Sequence, residues 1–240
     1  MLVKSDSTIS ATRTIEETTH SETDTGTYEN IDKTLRCSTI GHSSHPIEHF
    51  INLLKRNQIN CIVDVRSWPY SKYVTHYNKE PLEMKLNEIG IVYHYMGDSL
   101  GGRYTHPTLL FPDGRVNYTK VRQTDKFKAG IREVINKIND GCKMAIMCSE
   151  KDPFDCHRFV LVSYQLAKHD VLVNHILDDG SVIGNELLEE RLLKKYKKNI
   201  NQATLFSPPP SRKEVLEDAY MARNIDISAN YIENSEVSSE

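Results

Sequence analysis

The chain has 240 residues and a formal net charge of -3, from 30 Lys+Arg and 33 Asp+Glu. No apolar run approaches the roughly 18 residues of a membrane span, and residues 1–33 lack a secretory apolar core. These properties exclude a membrane protein, single out no macromolecular partner, and make the cytoplasm the expected location, where the five cysteines would be reduced.

Residues 1–33 carry seven acids, three bases and 12 Ser/Thr, too little apolar matter to offset the entropy of ordering, so a disordered acidic tail is expected. Residues 35–40 read as a strand. Residues 46–56 read as a helix with Ile47, Phe50, Ile51 and Leu54 on one face and Ser44 as its cap. A buried strand over 60–65 follows, then a helix with Leu82, Leu86 and Ile89 that closes at Gly90. Residues 91–96 read as a third strand, and 97–124 as a long loop, which is more often functional than ordinary. Helix 125–139, strand 143–148, helix 156–168, strand 171–176 and helix 184–198 complete the pattern. Strands separated by single helices predict an α/β fold: one three-layer domain over 34–206, a mostly parallel sheet of about five strands, and helices on both faces. Residues 207–227 are expected to add a helical extension, and 228–240 a second tail. Residues 34–210 hold 24 bases and 19 acids, so the folded part is mildly basic and suits an anionic substrate.

Four strand ends carry polar chemistry, and a parallel sheet gathers such ends on one edge, where ligands bind. The apolar run Met144–Met147 ends at Cys148, followed by Glu150 and then Asp155-Cys156-His157-Arg158. Asp155 as a helix cap would put Cys156 in the first turn, where the helix dipole, His157 and Arg158 would lower its pKa. The plain alternative is a packed cysteine, which suits Cys37, Cys61 and Cys142. Asp64 and Arg66 share a strand face, as a structural ion pair or as an anion ligand with its orienter or general base. His42 and Ser43 follow the first strand, and Gly101-Gly102-Arg103 the third. Arg66, Arg103 and Arg158 together would suit phosphate or carboxylate. Tyr70, Tyr73, Tyr77, Tyr93, Tyr95, Tyr104, Tyr118 and Trp68 read first as packing over the sheet and second as nucleobase platforms. The basic run Arg191, Lys194, Lys195, Lys197 and Lys198 reads as a solvated helix face.

The strings Thr39-Ile40-Gly41-His42-Ser43, Val63-Asp64-Val65-Arg66-Ser67-Trp68-Pro69, Leu100-Gly101-Gly102-Arg103, Cys148-Ser149-Glu150, Cys156-His157-Arg158 and Val173-Asn174-His175-Ile176 occur in this order. As a set they resemble the domain-of-unknown-function family number 488, over about 35–225. The resemblance implies a compact α/β domain and a shared site, and no established reaction. A weaker similarity is to rhodanese-like domains and related cysteine phosphatases: Asp64-Val65-Arg66, Cys148, Arg158 and Asp179-Gly180 look like their motifs. The loop after Cys148 is longer than theirs and lacks their glycine and compact anion cradle, so no activity follows.

Three functions fit these residues. The first is a Cys- or carboxylate-dependent hydrolase or transferase acting on an anionic small molecule or a nucleic-acid component. In it Arg66, Arg103 and Arg158 hold the anion with His42, Ser43, Gly101 and Gly102; Glu150, Asp64 or His157 moves protons; and Cys148 or Cys156 attacks. The second is a non-catalytic nucleotide or nucleic-acid binding module. The third is a thiol redox or metal sensor, through a reversible Cys148–Cys156 disulfide or a zinc set of Cys148, Cys156, His157 and His42. The sequence requires no cofactor, and zinc is the lesser option.

Overall fold

Short strands with apolar side chains on both faces are buried only between two helical layers, and the chain folds that way. The computed structural model describes residues 34–196 and 209–236, with side chains as far as 228. The tail expected at 1–33 lies outside the described residues. In chain order, β1 (Arg36–Gly41), α1 (Ile47–Arg56), β2 (Cys61–Asp64), α2 (Lys79–Asn87) and β3 (Val92–Tyr95) come first. The one-turn α3 (Gly97–Leu100), α4 (Tyr118–Gln123) and α5 (Asp125–Asn139) lead to β4 (Met144–Cys148). A 3-10 turn (Pro153–Asp155), a π-helical stretch (Arg158–Ser163) and α6 (Tyr164–Ala167) follow. Last come β5 (Leu172–Ile176), β6 (Val182–Gly184), α7 (Asn185–Tyr196) and α8 (Arg212–Glu236).

The six strands are ordered β3-β2-β4-β1-β5-β6. All neighbours are parallel except β5 and β6. Alternation decides which core each side chain enters. Met144, Ile146 and Cys148 join Cys61 and Val63 on the face covered by α5, the π stretch, α7 and α8. Ala145 and Met147 join Ile40 and Ile62 on the face covered by α1 and α2. Cys148 is therefore delivered to the side where the π stretch begins. Registers Gly41↔Cys148 and Asp64↔Met147 bring the ends of β1, β2 and β4 level.

The expected α/β architecture is present, with differences at the ends. The sixth strand has three residues, too few to show alternation. The expected loop 97–124 holds α3, α4 and a turn closed by a Leu110–Val116 bridge. Its Leu100, Tyr118 and Val121 are core residues. Ser44 caps nothing: α1 starts from Pro46 with no side-chain cap. Asp155 is no helix cap either, because it ends the 3-10 turn. Helix α8 continues past 227, into residues read from sequence as a tail. Residues 197–198 of the basic run lie outside the described residues.

Candidate functional site

The ends of β2 and β4, the residues after α3 and the start of the π stretch meet at one edge of the sheet. A hollow of about 50 Å³ lies there. One wall is Arg66, Ser67, Trp68 and Arg103; the other is Cys148, Ser149, Glu150 and His157, with Gly102 between them. A wider cavity of about 400 Å³ shares Arg66, Trp68, Ser149 and Glu150 and extends past His42, Ser43 and Tyr70.

Arg66 is only 6% exposed and needs a partner for its charge. Its Nε and Nη2 donate to the two oxygens of Asp64 at 2.9 and 2.6 Å, and its Nη1 donates to His42 Nε2 at 3.1 Å. Asp64 also accepts from the Arg66 backbone N–H at 3.0 Å and from Tyr93 Oη at 2.6 Å. A carboxylate this fully engaged and 0% exposed holds Arg66 in place, the orienting one of the two roles read from sequence. His42 stacks on Tyr77 at 4.2 Å, and its Nδ1 donates to Ser43 O at 2.6 Å. Burial, with Arg66 beside it, pushes its pKa down to about 4, so it is a neutral acceptor for Arg66. His42 is thereby withdrawn from the zinc set suggested by sequence.

Opposite, Cys148 Sγ lies 3.7 Å and Cys156 Sγ 3.9 Å from His157 Nδ1. Cys156 Sγ donates to Glu150 Oε2 at 2.9 Å. His157 Nε2 donates to Val65 O at 3.1 Å, so Nδ1 is the nitrogen that faces the sulphurs and carries the lone pair when the ring is neutral. One ligand atom from each of Cys148, Glu150, Cys156 and His157 lies within 4.8 Å of all the others. Both cysteines are free thiols. Burial pushes the Cys148 thiol up, and burial together with Cys148 pushes Cys156 well up. The lowered Cys156 pKa expected from a helix N-terminus is thus corrected. Cys156 has extended backbone (φ -128, ψ 144) and precedes the helix, and its sulphur is sealed from water. Burial also opposes charge on Glu150, but His157 and the two thiols outweigh it and hold the carboxyl at about 2. For His157 burial works against the proton, while Cys156 and Glu150 raise its pKa.

Arg158, expected to bind an anion, lies behind the wall with 0% exposure. Its Nη1 and Nη2 donate to the backbone oxygens of Glu150 and Lys151 at 2.6 and 3.1 Å. The anion face therefore rests on Arg66 and Arg103 alone. Arg103 is exposed, and its backbone N–H donates to Ser67 Oγ at 3.0 Å. Gly102 lines the hollow and also makes room for His157. A Cβ there would lie 2.7 Å from His157 Cγ, so its absence is what lets the imidazole sit. Gly101 packs against Gly97 and Ser67 rather than lining the hollow. Ser43, at φ 50, lines the wider cavity.

Sequence reasoning gave no site role to Arg223, and read Tyr93 and Tyr77 as packing or nucleobase platforms rather than as the supports of Asp64 and His42. Arg223 Nε donates to Phe154 O at 3.0 Å, and its Nη2 pairs with Asp155. It clamps the turn before Cys156 from a helix far along the chain, and no local pattern signals such a contact. The aromatic set divides: Tyr77, Tyr93 and Tyr118 are buried, whereas Trp68 and Tyr73 are 69% and 84% exposed.

Fold and site define a three-layer α/β protein with a thiol, imidazole and carboxylate pocket at the carboxyl edge of its sheet. The profile of the family described as domain of unknown function DUF488 matches residues 46–165, half of the chain, and the protein belongs to that family. The match is narrower than the 35–225 suggested by the motifs; β1 and Arg223 fall outside it. No curated protein matches the chain, and no solved structure does. The weaker rhodanese likeness has no match behind it. No helix among the described residues is long and apolar enough to cross a membrane.

Proposed function

We propose that the protein is an enzyme acting on a small anionic substrate, a phosphate- or carboxylate-bearing molecule, at the hollow between Arg103 and Glu150. One observation carries the reading: the Arg66 and Arg103 wall faces the Cys148, Glu150 and His157 wall across a space wide enough for one small group. Guanidinium groups suit oxyanions, and Asp64 and His42 hold Arg66 ready for one. The opposite wall supports the bond change. Glu150 is half-buried and lines both cavities, so it is the group that moves a proton. Trp68, exposed on both rims with its ring 5.3 Å from Tyr70, favours a substrate carrying a flat ring, such as a nucleotide.

The test is ligand-induced thermal stabilisation of the full chain by inorganic phosphate and by nucleoside monophosphates. Arg103→Ala should weaken both roughly tenfold or more, with little loss of intrinsic stability. Trp68→Ala should weaken only the nucleotide. No stabilisation by any anion, or equal affinity in Arg103→Ala, would sink the proposal. A non-catalytic binding module would keep nucleotide affinity but show no turnover of phosphoesters.

A further inference from the structure

The four groups on the reactive wall do more than line a hollow. We infer that Cys148, Cys156, His157 and Glu150 form a binding site for a zinc-class divalent ion, with Glu150 as the exchangeable ligand. Three independent observations carry this. The first is the donor set. Two sulphurs, an imidazole nitrogen and a carboxylate oxygen converge within 4.8 Å of one another. Soft thiolates with one imidazole select zinc and its neighbours over magnesium or calcium. The second is spacing. A tetrahedral ion with bonds of about 2.3 Å to sulphur and about 2.0 Å to nitrogen holds such a pair about 3.5 Å apart. The two sulphur–Nδ1 distances are 3.7 and 3.9 Å. Cys156 Sγ and Glu150 Oε2, now 2.9 Å apart across a proton, need only open by about half an ångström when an ion of this bond length takes that proton's place.

The third observation is the support around the donors. A metal-binding histidine almost always donates its second ring N–H to a carbonyl or carboxylate. His157 does so through Nε2 to Val65 O at 3.1 Å, and Gly102 leaves room for the ring. The Arg158 backbone N–H donates to Cys156 Sγ at 3.4 Å, which suits a thiolate. Binding replaces two S–H bonds by two S–metal bonds and uses the His157 Nδ1 lone pair, so it releases the two thiol protons and any proton that Nδ1 holds. The loaded site then carries one net negative charge, and Arg66, Arg103 and Arg158 surround it. Of the four ligands, only Glu150 is not fully buried. A substrate group can take its place at the ion and free the carboxylate for the proton transfer assigned to it above. This open fourth position is the pattern of catalytic rather than structural zinc.

The inference goes beyond anion binding and is read separately from it. The full-length protein is stripped with a chelator, reloaded with zinc(II) or cobalt(II), and checked by native mass spectrometry and absorption. The expected result is one ion per chain. Cobalt should give thiolate charge-transfer absorption and the strong visible bands of a tetrahedral site. Cys148→Ser with Cys156→Ser should lower affinity at least a hundredfold, and Glu150→Gln should lower it about tenfold while keeping thiolate absorption. A stripped, folded wild-type chain that binds neither ion at micromolar concentration overturns the inference. So does cobalt binding without thiolate absorption, and this outcome needs no variant to fold. Loss of phosphate binding in Arg103→Ala with full metal loading would leave the site standing, so the two proposals fail separately.

Discussion

Asp64 shows how one residue sets the others. Its carboxylate accepts from three donor groups of Arg66 and from Tyr93 Oη, in a fully buried place. Removing one partner of such a pair strands a buried charge, at about 3–5 kcal/mol. Asp64→Ala should therefore lower the urea-unfolding free energy by about that much, while Arg103→Ala should stay within about 0.5 kcal/mol of wild type. Equal losses would refute this division of labour between the buried carboxylate and the exposed arginine. At this scale the sequence told half the story. The i, i+2 spacing of Asp64 and Arg66 was legible because strand geometry puts alternate residues on one side. That Asp64 is an anchor rather than a base was not, because Tyr93 and His42, which complete its network, come from other strands. The same limit applies to Cys156. Asp155 looked like a cap, but Arg223 claims it across 68 positions of chain.

Among elements, the π stretch Arg158–Ser163 turns the chemistry inward. All six of its residues are buried, and Ser163 Oγ bonds back to Arg158 O at 2.8 Å. Such wide turns gather at functional sites. The sequence could not show this one, because a run buried all round has no apolar stripe to reveal its pitch. Amphipathic α1 and α5 were legible for the opposite reason. Helix α8 supports the same region through Arg223, which is 5% exposed, over the ring of Phe154. Arg223→Ala leaves the Phe154 carbonyl without its donor and should cost about 1–3 kcal/mol. It should also raise amide exchange in 154–157 more than in β2. Uniform change across the chain would argue that α8 merely adds bulk.

For the whole molecule, buried neutral histidines set the response to acid. His175 sits in the sheet between Thr39 Oγ1 at 2.8 Å and Asn185 Oδ1 at 3.2 Å. Burial lowers its pKa from 6.5 to about 4, and His42 shifts the same way. The folded chain therefore binds these protons more weakly than the unfolded one. Their contribution is complete above pH 6.5 and is lost as pH falls from there to about 4. For His175 the loss amounts to about 3 kcal/mol. His175→Gln, which keeps one donor and one acceptor, should flatten that part of the stability curve; an unchanged slope would clear His175 of responsibility.

Arg158 holds the oxygens of Glu150 and Lys151 from inside the core, and Gly41 leaves no space for anything between β1 and that loop. The backbone on this side of the rim is consequently a finished mould and not a hinged flap. A guest that fits meets it ready-made, so little ordering entropy is spent on arrival. Discrimination among guests then depends, along this wall, on a backbone outline already in place.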